Sequence, residues 1–148
     1  MAESGRKSKK PSGTKAESLL ESTVFLADHC LGRGVATPLR AAGLTVEIHS
    51  EHFKDGCLDA EWLPVAGARG WVVLTKDKAI RKNPIEIQAV RESRVRMFAL
   101  ASGNMTGDAM AQAFLINKHN IGIYLKKYNS PFIASVSRSG LRLVYPKD

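Results

Sequence analysis

Four short apolar runs punctuate the first two thirds of the chain: STVFLAD (22–28), LTVEIH (44–49), WVVLT (71–75) and VRMFAL (95–100). Each is too short for an ordinary helix and rich in β-branched or large apolar residues, so each reads as a strand buried in a sheet. Between them lie stretches with helical start and stop signals. RGVATPLRAAG (33–43) stops at Gly43, and Pro38 inside it points to a start near Thr37, with the proline in the first turn. DAEWLPVAGARG (59–70) opens on Asp59, a good cap residue, and closes on Gly70, with Pro64 as the source of a kink. PIEIQAVRES (84–93) carries proline at its first position. Such alternation is the pattern of a parallel sheet covered by helices, with the carboxyl ends of the strands along one edge. The expected fold is therefore α/β, a small parallel sheet of about four strands flanked by helices, with ligands bound outside that edge.

The remaining segments are less regular. SGNMTGDAMAQAFLINKHNIGIYLKKYN (102–129) has apolar residues at helical spacing, in one long or two broken helices. PFIASVSRSGLRLVY (131–145) reads as a C-terminal β-hairpin turning at or beside Ser139-Gly140. Residues 1–21 are rich in Ser, Lys and Gly and nearly free of large apolar side chains before Leu19. They are expected to form a disordered basic arm, leaving one folded domain over 22–148. The net charge is +8, of which residues 1–20 hold +3 (Arg6, Lys7, Lys9, Lys10 and Lys15 against Glu3 and Glu17). A basic body with a basic arm suits a polyanion such as nucleic acid, although solubility alone is served by the same charge. Two cysteines, Cys30 and Cys57, make no disulfide framework, and their spacing from His29, His49 and His52 fits no zinc pattern. No run has the length of a membrane span and no secretory signal opens the chain, so the cytoplasm is the expected compartment.

Acids stand where the strands end. Asp28 closes the first apolar run and Asp77 follows the third; Asp59 opens the helix leading into that third run, and Asp108 lies near the start of the helical stretch after the fourth. In a parallel sheet the first two emerge on one edge. Carboxylates about 4 Å apart repel by about 4 kcal/mol at an effective dielectric near 20. Three or four therefore stay ionised together only with a cation among them. Hard oxygen donors favour Mg²⁺ or Mn²⁺, and a metal held this way can activate water for phosphodiester hydrolysis. Thr75, two residues before Asp77, is placed to hydrogen-bond a carboxylate at the same strand end. Taken singly, Asp28 reads equally as a turn former and Asp59 or Asp108 as an ordinary helix-entry residue.

The stretches STVFLADHCLGRGVATPLRAAG and LDAEWLPVAGARGWVVLTKDKAIRKNP resemble the PIN-like nuclease family, in particular its VapC-type toxin branch. The likeness rests on an acid closing the first strand, a D-x-x-W-L helix start and a strand ending T-x-D, and it covers residues 22 to 100. It implies a metal-dependent endoribonuclease, with Asp28, Asp59 and Asp77 as catalytic acids and metal ligands. The fourth acid is left between Asp108 and Glu61. Asp59 is preferred to Glu61 because two residues on a helix lie about 200° apart and cannot both face the pocket. Thr75 supports the acids, and Lys78, Arg81 and Lys82 are expected to contact RNA phosphates. Mg²⁺ or Mn²⁺ is the implied cofactor, and RNA and an antitoxin protein are the implied partners, with a homodimer left open and no membrane.

Other signals are weaker. Gly32 and Gly34 after the first strand lack the third glycine of a dinucleotide fingerprint, so no nucleotide cofactor is expected. His29 is a loop histidine beside Asp28, and Trp62 and Trp71 read as core. Two rival functions share the fold class. A receiver-like phosphorylation switch would want a lysine after the fourth strand, where Ala101, Ser102 and Gly103 stand. A catalytically inert RNA-binding PIN-like module would be indifferent to loss of Asp77.

Overall fold

The computed structural model of the protein describes residues 14–76, 83–101 and 105–146. Among the described residues six strands form one sheet: β1 (Val24–Ala27), β2 (Thr45–Ile48), β3 (Val72–Lys76), β4 (Arg96–Leu100), β5 (Phe132–Ser137) and β6 (Gly140–Tyr145). Their spatial order is β2-β1-β3-β4-β5-β6. Neighbours are parallel except for the antiparallel pair β5–β6 at the edge. The C-terminal hairpin thus belongs to the main sheet, its first strand extending the parallel part and its second closing it.

The described residues also form the α-helices α1 (Thr14–Ser22), α2 (Gly32–Ala41), α3 (Asp59–Ala68), α4 (Pro84–Ser93), α5 (Gly107–Ile116) and α6 (Lys118–Lys127). Successive strand side chains point to opposite faces, and two apolar clusters result. On one face Phe25, Ala27, Leu74, Phe98 and Phe132 pack with α1, α2, α5 and α6. On the other Leu26, Val73, Met97 and Ala99 meet Trp62, Leu63 and Ala66 of α3 and Val90 of α4. The sheet is therefore buried on both sides, which is why its strands are apolar without alternation.

Helix ends follow local chemistry in most places. Gly43 (φ 95°) and Gly70 (φ 72°) take the left-handed conformation just after α2 and α3, as their stop signals require. Asn83 Oδ1 accepts from the backbone N–H groups of Ile85 and Glu86, and Pro84 needs no N–H at the first position of α4. The stretch 102–129 breaks into two helices at Asn117, which is buried and donates both amide hydrogens, to the carbonyls of Ala113 and Ser137.

Two expectations are corrected. Residues 14–21, assigned to the disordered arm, lie in α1, because Leu20 is buried in the same cluster as Ile121 and Leu125 of α6. One-sided burial of this kind anchors a polar segment that composition alone would leave unfolded. The helix expected to start near Thr37 starts at Gly32, so Pro38 sits in its interior and cannot donate to the carbonyl of Gly34. At that point α2 passes very close to α5: a Cβ on Gly107 would stand 3.2 Å from the Gly34 backbone.

Candidate active site

The order of the strands decides where a cleft can open. The chain leaves β1 for β2 on one side and returns to β3 on the other, so β1 and β3 flank a topological switch point. Ala27 is in register with both Ile48 of β2 and Leu74 of β3. The next residues, His49, Asp28 and Thr75, therefore stand level at three adjacent strand ends. Helices antiparallel to the strands begin at this same edge, which brings the first turns of α3 and α4 over it. The result is a cleft of about 220 Å³ with a floor of Trp62, Leu63, Val90 and Met97. Its rim carries Asp28, Asp59 and Glu86, together with Thr75, Lys76, His29 and Cys30.

Asp28 is held from both sides. Its Oδ1 accepts from the His29 backbone N–H at 2.7 Å, with the His29 ring Nδ1 at 3.1 Å. Its Oδ2 accepts from the Thr75 hydroxyl at 2.9 Å. Thr75 is itself buried, and the Cys30 Sγ lies 3.4 Å from its Oγ1. The Asp28 side chain is only 14% exposed. A carboxylate so enclosed keeps its orientation without help from solvent, and it faces the cleft from a strand end that cannot swing.

Asp59 is fixed differently. It is the first residue of α3, and the Trp62 indole one turn later donates to its Oδ1 at 3.1 Å. Trp62 is almost fully buried between the sheet and α3, so a core side chain sets the direction of a surface acid. Asp59 and Glu86 both sit in the first turn of a helix, where the backbone N–H groups stabilise negative charge by about 0.3–1 kcal/mol.

Behind the acids is a buried histidine. His49 is 3% exposed, and neither Nδ1 nor Nε2 has a hydrogen-bond partner among the described residues. Its ring packs edge-on against Trp62 at 4.9 Å, against Phe53 at 5.0 Å and beside the His29 ring at 5.5 Å. Burial pushes its pKa below the ordinary 6.5, with Asp28 and Asp59 opposing the shift and His29 adding to it. An unpaired buried polar group destabilises by about 1–3 kcal/mol, so its presence here calls for a reason.

A family model described as a PIN like domain matches residues 23–102, more than half of the chain. The chain belongs to the PIN-like family. It is also 26% identical over 121 residues to a Mycobacterium tuberculosis protein named "Putative ribonuclease VapC45", with 78% of this chain and 86% of the relative covered. No solved structure matches. The likeness is thus to the VapC-type branch of a nuclease family, and the matched region contains β1 to β4, which carry the cleft. The receiver-like alternative draws no support from either comparison.

In this PIN-like chain the expected site residues fall into three groups. Asp28, Asp59 and Thr75 line one cleft. Asp77, Lys78, Arg81 and Lys82 lie outside the described residues. Glu61 and Asp108 do not line the cleft: Glu61 Oε1 accepts from the Leu58 backbone N–H at 2.9 Å, capping α3. Asp108 is the second residue of α5, which packs on the other face of the sheet from α3 and α4. Asp59 is the first residue of α3, and its expected place as the cap is taken by Leu58.

Sequence reasoning missed Glu86, Lys76, Cys30 and His49. Glu86 carried a usable signal, since Pro84 marks the start of α4 and a helix following a parallel strand begins near the carboxyl edge. The three described acids offer oxygen atoms, the donor chemistry of Mg²⁺ and Mn²⁺. Among the described residues, however, no group of three or more His, Cys, Asp or Glu side chains is close enough to hold a metal ion. The oxygen donors that the described residues offer in the cleft come from Asp28, Asp59 and Glu86, short of a full ligand set for a metal ion.

The supports of these acids should be separable from the fold. Thr75→Val keeps shape and burial but removes the hydroxyl from Asp28, and Trp62→Phe removes the indole donor from Asp59. Each is expected to lower nuclease activity about 10–100-fold, the usual effect of removing a group that orients a ligand. Thermal melting beside the activity assay checks the separation: parallel loss of both would show that the substitutions act through folding.

Proposed function

We propose that the protein is a metal-dependent endoribonuclease, the toxin of a toxin–antitoxin pair. The observation that carries the reading is the carboxylate of Asp28, oriented by Thr75 from the neighbouring strand in a cleft shared with Asp59 and Glu86. Membership of the PIN-like family and the name of the VapC-type relative support it. Asp28 and Asp59, with Asp77, would hold Mg²⁺ or Mn²⁺, and Glu86 lines the wall where a further oxygen donor is needed. Such an ion, when bound, lowers the pKa of a coordinated water and neutralises charge at the phosphate.

The chain's own contribution is orientation and charge. Thr75 and the His29 N–H hold Asp28, and Trp62 holds Asp59, so the acids need no reorganisation when a phosphodiester arrives. Lys76 on the rim and the first turns of α3 and α4 offer positive charge to a phosphate that would otherwise be repelled by the carboxylates. Lys78, Arg81 and Lys82 follow Lys76 in sequence and would track the RNA backbone. An antitoxin protein would inhibit by covering this edge.

Purified protein incubated with mixed RNAs and Mg²⁺, Mn²⁺ or EDTA tests the proposal. Internal cleavage is expected with either ion and absent with EDTA. Cleavage that survives EDTA would remove the metal from the mechanism while leaving the fold untouched. Intact RNA under all conditions, from correctly folded protein, would favour an inert RNA-binding module.

A further inference from the structure

We infer that Cys30 is a positioning residue of the cleft, its thiol donating a hydrogen bond to Thr75 that commits the Thr75 hydroxyl proton to Asp28. The inference rests on the nuclease reading above and deepens it by adding a residue that acts at one remove from the acids. Cys30 lines the cleft together with Asp28 and Thr75. The Leu31 N–H donates to the Asp28 carbonyl at 2.9 Å, closing a turn that folds Cys30 back toward the end of β3. There its Sγ lies 3.4 Å from Thr75 Oγ1.

Proton counting fixes the direction of that contact. A threonine hydroxyl carries one proton and two lone pairs, and an ionised carboxylate only accepts. Thr75 Oγ1 stands 2.9 Å from Asp28 Oδ2, so its one proton lies on that side. The contact with Cys30 is then made by the S–H, donated into a lone pair of Oγ1. Without the thiol proton, sulfur and carboxylate would compete as acceptors for the same hydroxyl. Thr75 is 6% exposed, so water is poorly placed to replace a lost partner. Packing accounts only for the volume of Cys30, which rests against the apolar cluster on the α2 side of the sheet. An apolar side chain would fill that space and donate nothing. Cys30 therefore acts through Thr75 and Asp28 rather than on RNA itself.

The test compares RNA cleavage by wild type, Cys30→Ser, Cys30→Ala, Thr75→Val and the double variant Cys30→Ala with Thr75→Val, each beside a melting curve. Ser and Ala both lack the volume of sulfur, but only Ser keeps a proton to donate. Cys30→Ala is expected to lower kcat about 3–10-fold, the range for one neutral hydrogen bond, with KM little changed. Cys30→Ser should recover most of that rate even though it melts as low as Cys30→Ala. In the Thr75→Val background, Cys30→Ala should bring no further loss, because no hydroxyl is left to orient. A second measurement needs no activity: the infrared S–H band of Cys57→Ser protein, in which Cys30 is the remaining thiol. A donating thiol absorbs at lower frequency than a free one, so the band should rise when Thr75→Val is added. Wild-type kcat in Cys30→Ala, a Ser variant no faster than the Ala variant, additive losses in the double variant, or an unmoved band would each overturn the inference and leave the nuclease reading intact. A folded wild-type protein that cleaves no RNA with Mg²⁺ or Mn²⁺ would overturn both. Should Thr75→Val not fold, the contrast between Cys30→Ser and Cys30→Ala decides the matter.

Discussion

Asp28→Asn is expected to abolish RNA cleavage while the protein melts close to the wild-type temperature. The substitution is nearly isosteric, and both oxygens of the native carboxylate are already engaged by neighbours that an amide can satisfy. The His29 N–H can donate to the amide oxygen, and the Thr75 hydroxyl can turn to accept from the amide nitrogen. What disappears is the charge, at a side chain only 14% exposed and therefore little compensated by solvent. Activity is expected to fall by on the order of 10³-fold, comparable to removal of a principal electrostatic group from other active sites. Single-turnover cleavage of one RNA, read beside a melting curve, makes the comparison. Retention of more than about a tenth of wild-type activity would show that Asp28 only shapes the turn after β1.

Gly67→Ala has the opposite signature, a loss of fold with no direct effect on chemistry. Gly67 lies in α3, and a Cβ there would stand 1.8 Å from the carbonyl oxygen of Ser93 at the end of α4. Both partners are backbone, so no rotamer change relieves the clash, and the two helices must separate. Separation would open the cluster in which Trp62, Leu63 and Val90 are buried against the sheet. Overpacking of this kind destabilises by about 1–3 kcal/mol and occasionally more, and the rigid obstacle puts this case at the upper end. Because α3 and α4 carry Asp59 and Glu86, residual activity should fall along with the melting temperature. Gly34→Ala is the control: its Cβ would meet the Gly107 Cα at 3.6 Å, an ordinary contact. Chemical denaturation of both variants checks the difference, and equal stabilities would mean that α3 and α4 pack less tightly than the geometry requires.

These effects separate what sequence can carry from what it cannot. Apolar runs at 22–28, 44–49, 71–75 and 95–100 identify buried strands because burial on both faces demands continuous apolar residues. Stop residues are equally local: Gly43 and Gly70 end helices through their own backbone freedom. The acids Asp28 and Asp59 were legible for the same reason, each marking the end of a strand or the start of a helix. Leu19 and Leu20 were not enough to reveal α1, since its anchor on α6 lies about a hundred residues away.

By itself the sequence determined the alternation of strands and helices, their approximate ends, and the placing of acids beside those ends. Those features depend on neighbours within a few positions. The tertiary structure alone decided that β1 lies between β2 and β3, so that the switch point opens beside Asp28 and Thr75. It also decided which helix covers which face, putting Glu86 of α4 in the lining of the cleft and α5, with Asp108, on the other face of the sheet. The physical reason is that sheet order and helix sidedness are settled by burial of the whole apolar surface, a sum over the molecule that no short stretch records.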